Sequence, residues 1–299
     1  MRIVEVGLRD GLQNEAVPIP AEAKVRFAEK LVDAGLVEIE AASFVSPKWV
    51  PQLADVSEVW PKLPSGAKYS ALVPNRKGLD RALELGVKRI AVFTAASDAF
   101  TKKNINMTVD ESIDAFREVI EVFRAENPVG WIRGYVSTSI ACPYAGPIEP
   151  AAVARVVRRL MELGVDEVSI GDTIGVGIPS DVAKLHEQIV DIAHRSFFAW
   201  HFHDTRGTAI ANTAKALELG YEAFDSSAAG LGGCPYAPGA GGNLATEDLV
   251  YFLERNGIDT GVNQMKLAQA SLEVLELLGR APVCKAQLAS LSASTGCGL

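Results

Sequence analysis

The stretch HFHD, residues 201–204, sets two histidines two positions apart. Side chains alternate along a strand, so His201 and His203 face one side and can present two imidazoles to one ion, with Phe202 facing away. Taken alone, such a pair also fits hydrogen-bonded polar residues in a protein interior. Asp10, at the end of the first apolar run of the chain, adds a carboxylate. Two imidazoles and a carboxylate form a mixed nitrogen and oxygen set that suits an octahedral divalent ion with positions left for water or substrate. A structural zinc site would more often recruit thiolates. His186 and His194, in the segment before this run, read as surface or packing residues.

Arg9 stands beside Asp10. The two can form a simple strand-end ion pair, or the fixed guanidinium can bind a carbonyl or carboxylate and stabilise an enolate oxygen as charge develops. Glu40 interrupts the apolar run VEIEAA, residues 37–42, and a buried carboxylate is costly unless paired. It suits a general base or a group that holds Arg9, and Asp172 in DEVSIGDT poses the same choice. Cys234 lies in GLGGCPYAPGAGGN, residues 230–243, which has six glycines and two prolines. A lone loop cysteine is often a passive thiol; beside a cation it can be catalytic. The stretch matches neither a P-loop nor a dinucleotide fingerprint. It reads as a lid whose glycines let the backbone close, with Pro235 and Pro238 limiting its excursions.

These residues need a scaffold that gathers distant segments. Apolar or β-branched runs at 3–8, 37–42, 68–73, 88–95, 131–140, 166–173, 197–204 and 222–230 alternate with segments of helical period. ELG closes three of the helices, at 84–86, 162–164 and 218–220. Eight strand–helix units predict an α/β fold of the (β/α)8 TIM-barrel type, with an open doubly wound sheet as the alternative. A barrel places its active site at the C-terminal strand ends, where Arg9–Asp10, Asp172, His201, His203 and the glycine-rich stretch all fall. Residues 1–299 are read as one catalytic domain, with about 258–299 as a C-terminal helical extension on the barrel's outside or against a partner subunit.

Composition sets limits on function. Hydrophobic residues make up 48% and charged residues 22%, enough for a large core. A net charge of −8 without a basic stripe argues against a nucleic-acid partner. No apolar stretch of about 18 residues suggests a membrane span, and the first residues read as a strand, so a cytoplasmic protein is expected. Cys142, Cys234, Cys284 and Cys297 are far apart, without a CxxC, and read as free thiols.

Seven segments together, VEVGLRDGLQNE (4–15), SFVSPKWVPQ (43–52), FTKKNIN (100–106), RGYVS (133–137), GDTIGVG (171–177), HFHDT (201–205) and GLGGCPYAPGAGGNLATEDLVY (230–251), resemble the 3-hydroxy-3-methylglutaryl-CoA lyase family nearly from end to end. The RD pair and HxH are common to a wider superfamily of metal-dependent barrel lyases and condensing acyltransferases; the cysteine loop is specific to the lyases. The resemblance implies magnesium or manganese held by Asp10, His201, His203 and Asn243. It implies Arg9 at the substrate carbonyl, Cys234 as a catalytic thiol, Glu40 and Asp172 as active-site carboxylates and His201 as a further candidate base. It also places Gln13, Ser43, Tyr135 and Ser169 near an acyl-CoA substrate. The implied reaction is retro-Claisen cleavage to acetyl-CoA and acetoacetate, in leucine or ketone-body metabolism, by a homo-oligomer, dimer or tetramer. A lyase for another 3-hydroxy-3-alkylglutaryl-CoA is the near alternative, and a condensing acyltransferase the distant one. Departures from the family pattern are Arg206 and Thr208, where an aromatic and a glutamine are expected, and Ala16, where lysine is common. Lys102 and Lys103 offer charge to a CoA phosphate or form a solvated pair.

Overall fold

The computed structural model describes residues 1–13, 15–232 and 242–294. Its centre is a closed parallel barrel of β1 (Arg2–Glu5), β2 (Glu38–Ser43), β3 (Lys68–Leu72), β4 (Arg89–Ala95), β5 (Trp131–Ser137), β8 (Glu167–Asp172), β9 (Phe198–Phe202) and β10 (Ala223–Ser226). A two-residue hairpin, β6 (Ala141–Cys142) and β7 (Gly146–Pro147), is inserted after β5. Each barrel strand pairs with the next one in sequence, and β10 closes on β1 with Arg2 opposite Ala223 and Glu5 opposite Ser226. The (β/α)8 expectation therefore holds.

The surrounding helices are α1 (Ala21–Asp33), α2 (Val56–Val59), α3 (Arg76–Glu84), α4 (Asp98–Ile105), α5 (Val109–Glu126), α6 (Pro150–Glu162), α7 (Pro179–Ile189), α8 (Ala209–Glu218), α9 (Thr246–Arg255), α10 (Gln264–Leu277) and α11 (Lys285–Ser294). In α5 a capping box of Thr108 and Glu111 starts the helix, and Ile113, Phe116, Ile120 and Phe123 recur at helical spacing to form its buried stripe. The three ELG glycines, Gly86, Gly164 and Gly220, have φ of 69°, 84° and 87°, a left-handed conformation that ends a helix at little cost only in glycine. The core lies between strands and helices: outward-facing Trp200 and Phe202 of β9 stack 5.4 Å apart, and Tyr221 meets Trp200 edge-on. Helix α10 docks on α1 through Lys30–Glu273 and Lys266–Asp33 ion pairs, and Asp248 of α9 accepts the N–H of Ala286 in α11 at 2.7 Å. Among the described residues, no helix is long and apolar enough to cross a membrane.

One strand end differs from expectation. The first strand stops at Glu5, and Gly7–Gly11 forms a single π-helical turn that carries Arg9 and Asp10. The amides of Arg9, Asp10 and Gly11 all converge on the Val6 carbonyl, at 3.1, 2.8 and 3.1 Å. This wide turn lets neighbouring Arg9 and Asp10 both serve the barrel mouth, where strand alternation would have sent them to opposite faces.

Candidate active site

Asp10, His201 and His203 offer ligand atoms that all lie within 4.8 Å of one another. His201 Nε2 is 3.3 Å from His203 Nε2 and 3.8 Å from Asp10 Oδ2. Asn243 joins them because its backbone forms an antiparallel bridge with His203, and its Nδ2 donates to Asp10 Oδ2 at 2.9 Å and to the Leu231 carbonyl at 3.0 Å. That orientation leaves Asn243 Oδ1 a buried acceptor with no partner among the described residues. Facing imidazole nitrogens, a carboxylate and an unspent amide oxygen form a mixed nitrogen and oxygen set that can hold a divalent cation. Burial opposes ionisation of Asp10, but Arg9, His201, His203 and the Asn243 amide outweigh it and hold the carboxyl down to about 2. Burial, helped by the neighbouring His201, pushes His203 down to about 4, so its imidazole is neutral at neutral pH.

Beside this set lies a second arm. Arg9, only 6% exposed, donates through Nη1 to Asp10 Oδ1 at 2.7 Å and through Nε to Glu40 Oε1. Glu40 is fully buried, and its other oxygen accepts the Tyr135 hydroxyl. Of the two roles open to Glu40, the structure thus supplies contacts for the second: it aims Arg9. Tyr135 faces the Arg9 guanidinium at 5.4 Å, and burial together with the Glu40 charge raises its phenol well above the usual range.

His201 has its own support. Asp225 Oδ2 lies 3.1 Å from His201 Nδ1 and accepts Ser169 Oγ at 2.8 Å, while Oδ1 accepts Arg133 Nη2 at 2.6 Å. With Nδ1–H bonded to Asp225, the lone pair of the neutral ring sits on Nε2 and points into the donor set. Burial opposes a charged His201, but Asp225 and Asp10 prevail and raise its pKa. Arg133 also ion-pairs with Glu167 at 2.8 Å, so a buried charge chain runs down the barrel axis from His201.

The comparisons with known proteins agree with this chemistry. Residues 1–274 match the family described as HMGL-like. The chain belongs to that family. It is 50% identical to the mitochondrial hydroxymethylglutaryl-CoA lyase of Bos taurus over 94% of this chain and 86% of that one. It is 47% identical to a 3-hydroxy-3-isohexenylglutaryl-CoA/hydroxy-methylglutaryl-CoA lyase of Pseudomonas aeruginosa, over 98% and 97%. The crystal structure of the hydroxymethylglutaryl-CoA lyase from Pseudomonas aeruginosa superposes with a TM-score of 0.94 at 47% identity, covering 98% of this chain and 97% of that one.

For a member of the HMGL-like family, the remaining residues singled out in the sequence fall into three groups. Ser169 reaches the site through Asp225, and the Gln13 side-chain oxygen is buried without a partner among the described residues. Asp172 and Ser43 make local hydrogen bonds. Three positions beyond inward-facing Ser169, Asp172 points to the other side of the strand and accepts the amides of Gly177 at 2.8 Å and Val176 at 3.1 Å. Burial raises its pKa against those bonds. Ser43 Oγ accepts the Val45 amide at 3.3 Å. Cys234, and the lid expected around it, lie outside the described residues. Arg206, the departure from the family pattern, donates to the carbonyls of Ile174 at 2.9 Å and Gly175 at 3.0 Å, tying β9's exit to the turn after β8. Lys103 sits 4.1 Å over the Tyr144 ring, and both Lys102 and Lys103 are exposed in the last turn of α4.

Sequence reasoning missed Asp225 and Arg133. The signal that exposed Glu40, a charge inside an apolar strand, is equally present in WIRGYVS and in EAFDSS.

Proposed function

We propose that the protein is a divalent-metal-dependent carbon–carbon lyase that cleaves 3-hydroxy-3-methylglutaryl-CoA to acetyl-CoA and acetoacetate. The observation that carries the reading is the meeting of Asp10, His201 and His203 beside an arginine aimed by a buried glutamate. Asp10, His201, His203 and Asn243 would hold magnesium or manganese, which would supply the acidification of the substrate's tertiary hydroxyl near neutral pH. Three bases are open for the hydroxyl proton. Asp172 spends both oxygens on backbone amides, and Glu40 spends both on Arg9 and Tyr135. His201 keeps Nε2 free of bonds to the fold's structural groups, and Asp225 behind it keeps that nitrogen basic. We assign it the proton; Nε2 has one lone pair, so while it serves as base it would not be a ligand, and Asp10, His203 and Asn243 would then hold the cation.

As the hydroxyl carbon becomes the ketone of acetoacetate, the carbon–carbon bond breaks and its electron pair passes to the thioester enolate. Arg9 faces that enolate oxygen, and its orientation is fixed before charge develops because Glu40 and Asp10 hold two of its nitrogens. Cys234 donates the proton that completes acetyl-CoA. Gln13, Ser43, Tyr135 and Ser169 complete the substrate-facing surface. The whole chain acts as one catalytic domain, in a cytoplasmic homo-oligomer.

A longer 3-alkyl chain is the second reading, because the Pseudomonas aeruginosa relative is named for two substrates. Here Leu72, Ala91 and Tyr135, with Val45 and Phe93 packed on them, form a small apolar cluster separate from the main core and adjacent to the Glu40–Tyr135 arm. Assaying cleavage of 3-methyl through 3-isohexenyl substrates, with and without chelator, tests both readings. Turnover of the methyl compound that vanishes with chelator and returns with manganese is expected; chelator-resistant turnover, or none on the methyl compound, defeats the first reading.

A further inference from the structure

Glu5 is fully buried at the end of β1, where the mechanism above gives it no task. Its carboxylate gathers three segments that are far apart in sequence. Oε1 accepts the amide of Gly7 at 2.7 Å, at the start of the turn that carries Arg9 and Asp10. The same oxygen accepts the amide of Ala228 at 2.9 Å, just before Gly230–Leu231–Gly232. Oε2 accepts the Thr246 hydroxyl at 2.6 Å, three residues after Asn243. A second buried carboxylate, Glu247, takes the next amide of the same turn, that of Ala229, at 3.0 Å, and Ala229 has φ of 61°, a strained value for a residue with a side chain.

The surfaces around these bonds fit with no spare room. A Cβ on Gly7 would lie 2.5 Å from Glu5 Oε1, and one on Gly11 would lie 2.8 Å from Ser227 Oγ and 2.9 Å from Leu231 Cβ. Both glycines have ordinary backbone angles, so it is close approach that demands them. On the other side, a Cβ on Gly242 would lie 1.8 Å from the Gly230 carbonyl oxygen. The π-helical turn, the entry 227–232 and the exit 242–246 therefore pack as one block, with Glu5 at its centre.

We propose that Glu5 is a positioning residue: it locks the Asp10 turn to both ends of the glycine-rich segment, so that Asp10 and Asn243 reach the cation together. This inference rests on the metal reading above. Asp10 and Asn243 touch each other at 2.9 Å, yet one comes from β1's exit and the other from the far end of the segment after β10, and Glu5 accepts the Gly7 amide at the start of the Asp10 turn and the Thr246 hydroxyl three residues after Asn243. Releasing that tie displaces one metal ligand relative to the other without altering either.

The test is titration of manganese(II) into the chelator-stripped, full-length protein by calorimetry, with melting temperature and turnover measured alongside. Glu5→Ala is expected to raise the manganese Kd by about tenfold or more, in the range that supporting residues of metal sites command. Glu5→Gln is expected to restore it to within about threefold, because an amide oxygen still accepts both backbone N–H groups and its NH2 can donate to Thr246. Thr246→Val deletes one bond and leaves the backbone partners, so it keeps the experiment decisive should Glu5→Ala fail to fold; its Kd is expected to rise by about threefold. A lowered melting temperature with manganese Kd unchanged in both Glu5→Ala and Thr246→Val would reduce Glu5 to a structural residue and overturn the proposal. A wild-type protein that takes up no manganese would instead overturn the metal reading beneath it.

Discussion

Two sets of carboxylates lie equally deep in this barrel and behave in opposite ways. Asp225 and Glu40 face guanidinium groups, Arg133 and Arg9, while Glu5 and Glu247 meet neutral donors: backbone amides, the Thr246 and Ser271 hydroxyls and the Cys284 thiol. Burial opposes the charge of Asp225, Glu5 and Glu247 alike, yet Arg133 and His201 bring Asp225 below its ordinary value, whereas Glu5 and Glu247 are pushed up to about 7. Depth therefore does not decide whether a carboxylate stays charged here; a neighbouring cation does. The paired set orients groups that must carry charge in the reaction, and the unpaired set orients backbone.

The largest effect is expected at Glu40. Glu40→Ala strands the Arg9 guanidinium and the Tyr135 hydroxyl in a dry interior, costing about 3–5 kcal/mol of stability. Misaiming Arg9 should also lower kcat by about 10²–10³, the loss seen when a transition-state donor is removed. Steady-state kinetics and urea unfolding measure the two separately. A variant that loses stability but keeps kcat would put Arg9 outside the chemistry.

Asp225→Asn comes next. Arg133 keeps Glu167 and His201 keeps an oxygen opposite Nδ1, so the fold should survive, but the charge that sharpens the imidazole is gone. Manganese affinity is expected to fall by about 10–100-fold, measured by calorimetry. An unchanged affinity would show that geometry alone, without charge, suffices behind His201.

Gly232→Ala probes the unpaired region's neighbour. Gly232 has φ of 109°, and a Cβ there would lie 2.6 Å from Asn243 Nδ2. Backbone strain should cost about 1–2 kcal/mol of stability, while displacement of the Asn243 side chain should lower turnover by about tenfold or more. Melting temperature and kcat together decide it; equal losses in both would argue that Asn243 has no role on the cation.

Sequence reasoning found the Glu40–Arg9 half of the paired set but missed Asp225, Arg133 and the unpaired set, and the reason is physical. The eight strands, the glycine closers and the facing pair His201–His203 follow from periods of 3.6 and 2, which a sequence displays directly. Glu40 stood out as a charge in an apolar run, and the resemblance supplied Tyr135 and Ser169. The Gly7–Gly11 turn did not stand out, because three amides on one carbonyl leave no periodic trace. Glu5 and Glu247 were hidden for another reason. Each sits at an element's end, where a carboxylate ordinarily reads as solvated, and only the closed barrel shows that β1's end meets the loop after β10. Asp172, at a strand's tip, showed no sign in the sequence of the two turn amides, those of Val176 and Gly177, that its side chain accepts.

A pH dependence isolates the unpaired set. In the unfolded chain a glutamate titrates near 4.5, whereas Glu247 in the fold titrates near 7 because burial penalises its charge. Between those values the folded protein binds more protons than the unfolded chain, so stability falls as pH rises from about 4.5 to 7, by at most about 1.4 kcal/mol per pH unit for this group, and is level above. Glu247→Gln keeps an acceptor for the Ala229 amide and removes the titration. In chelator-treated protein, urea unfolding across this window should therefore show the variant losing less stability than wild type, with the two curves close together at pH 4.5 and furthest apart near 7. Parallel curves would mean that Glu247 is ionised in the fold throughout, and that a buried carboxylate in this barrel can stay charged on neutral donors alone.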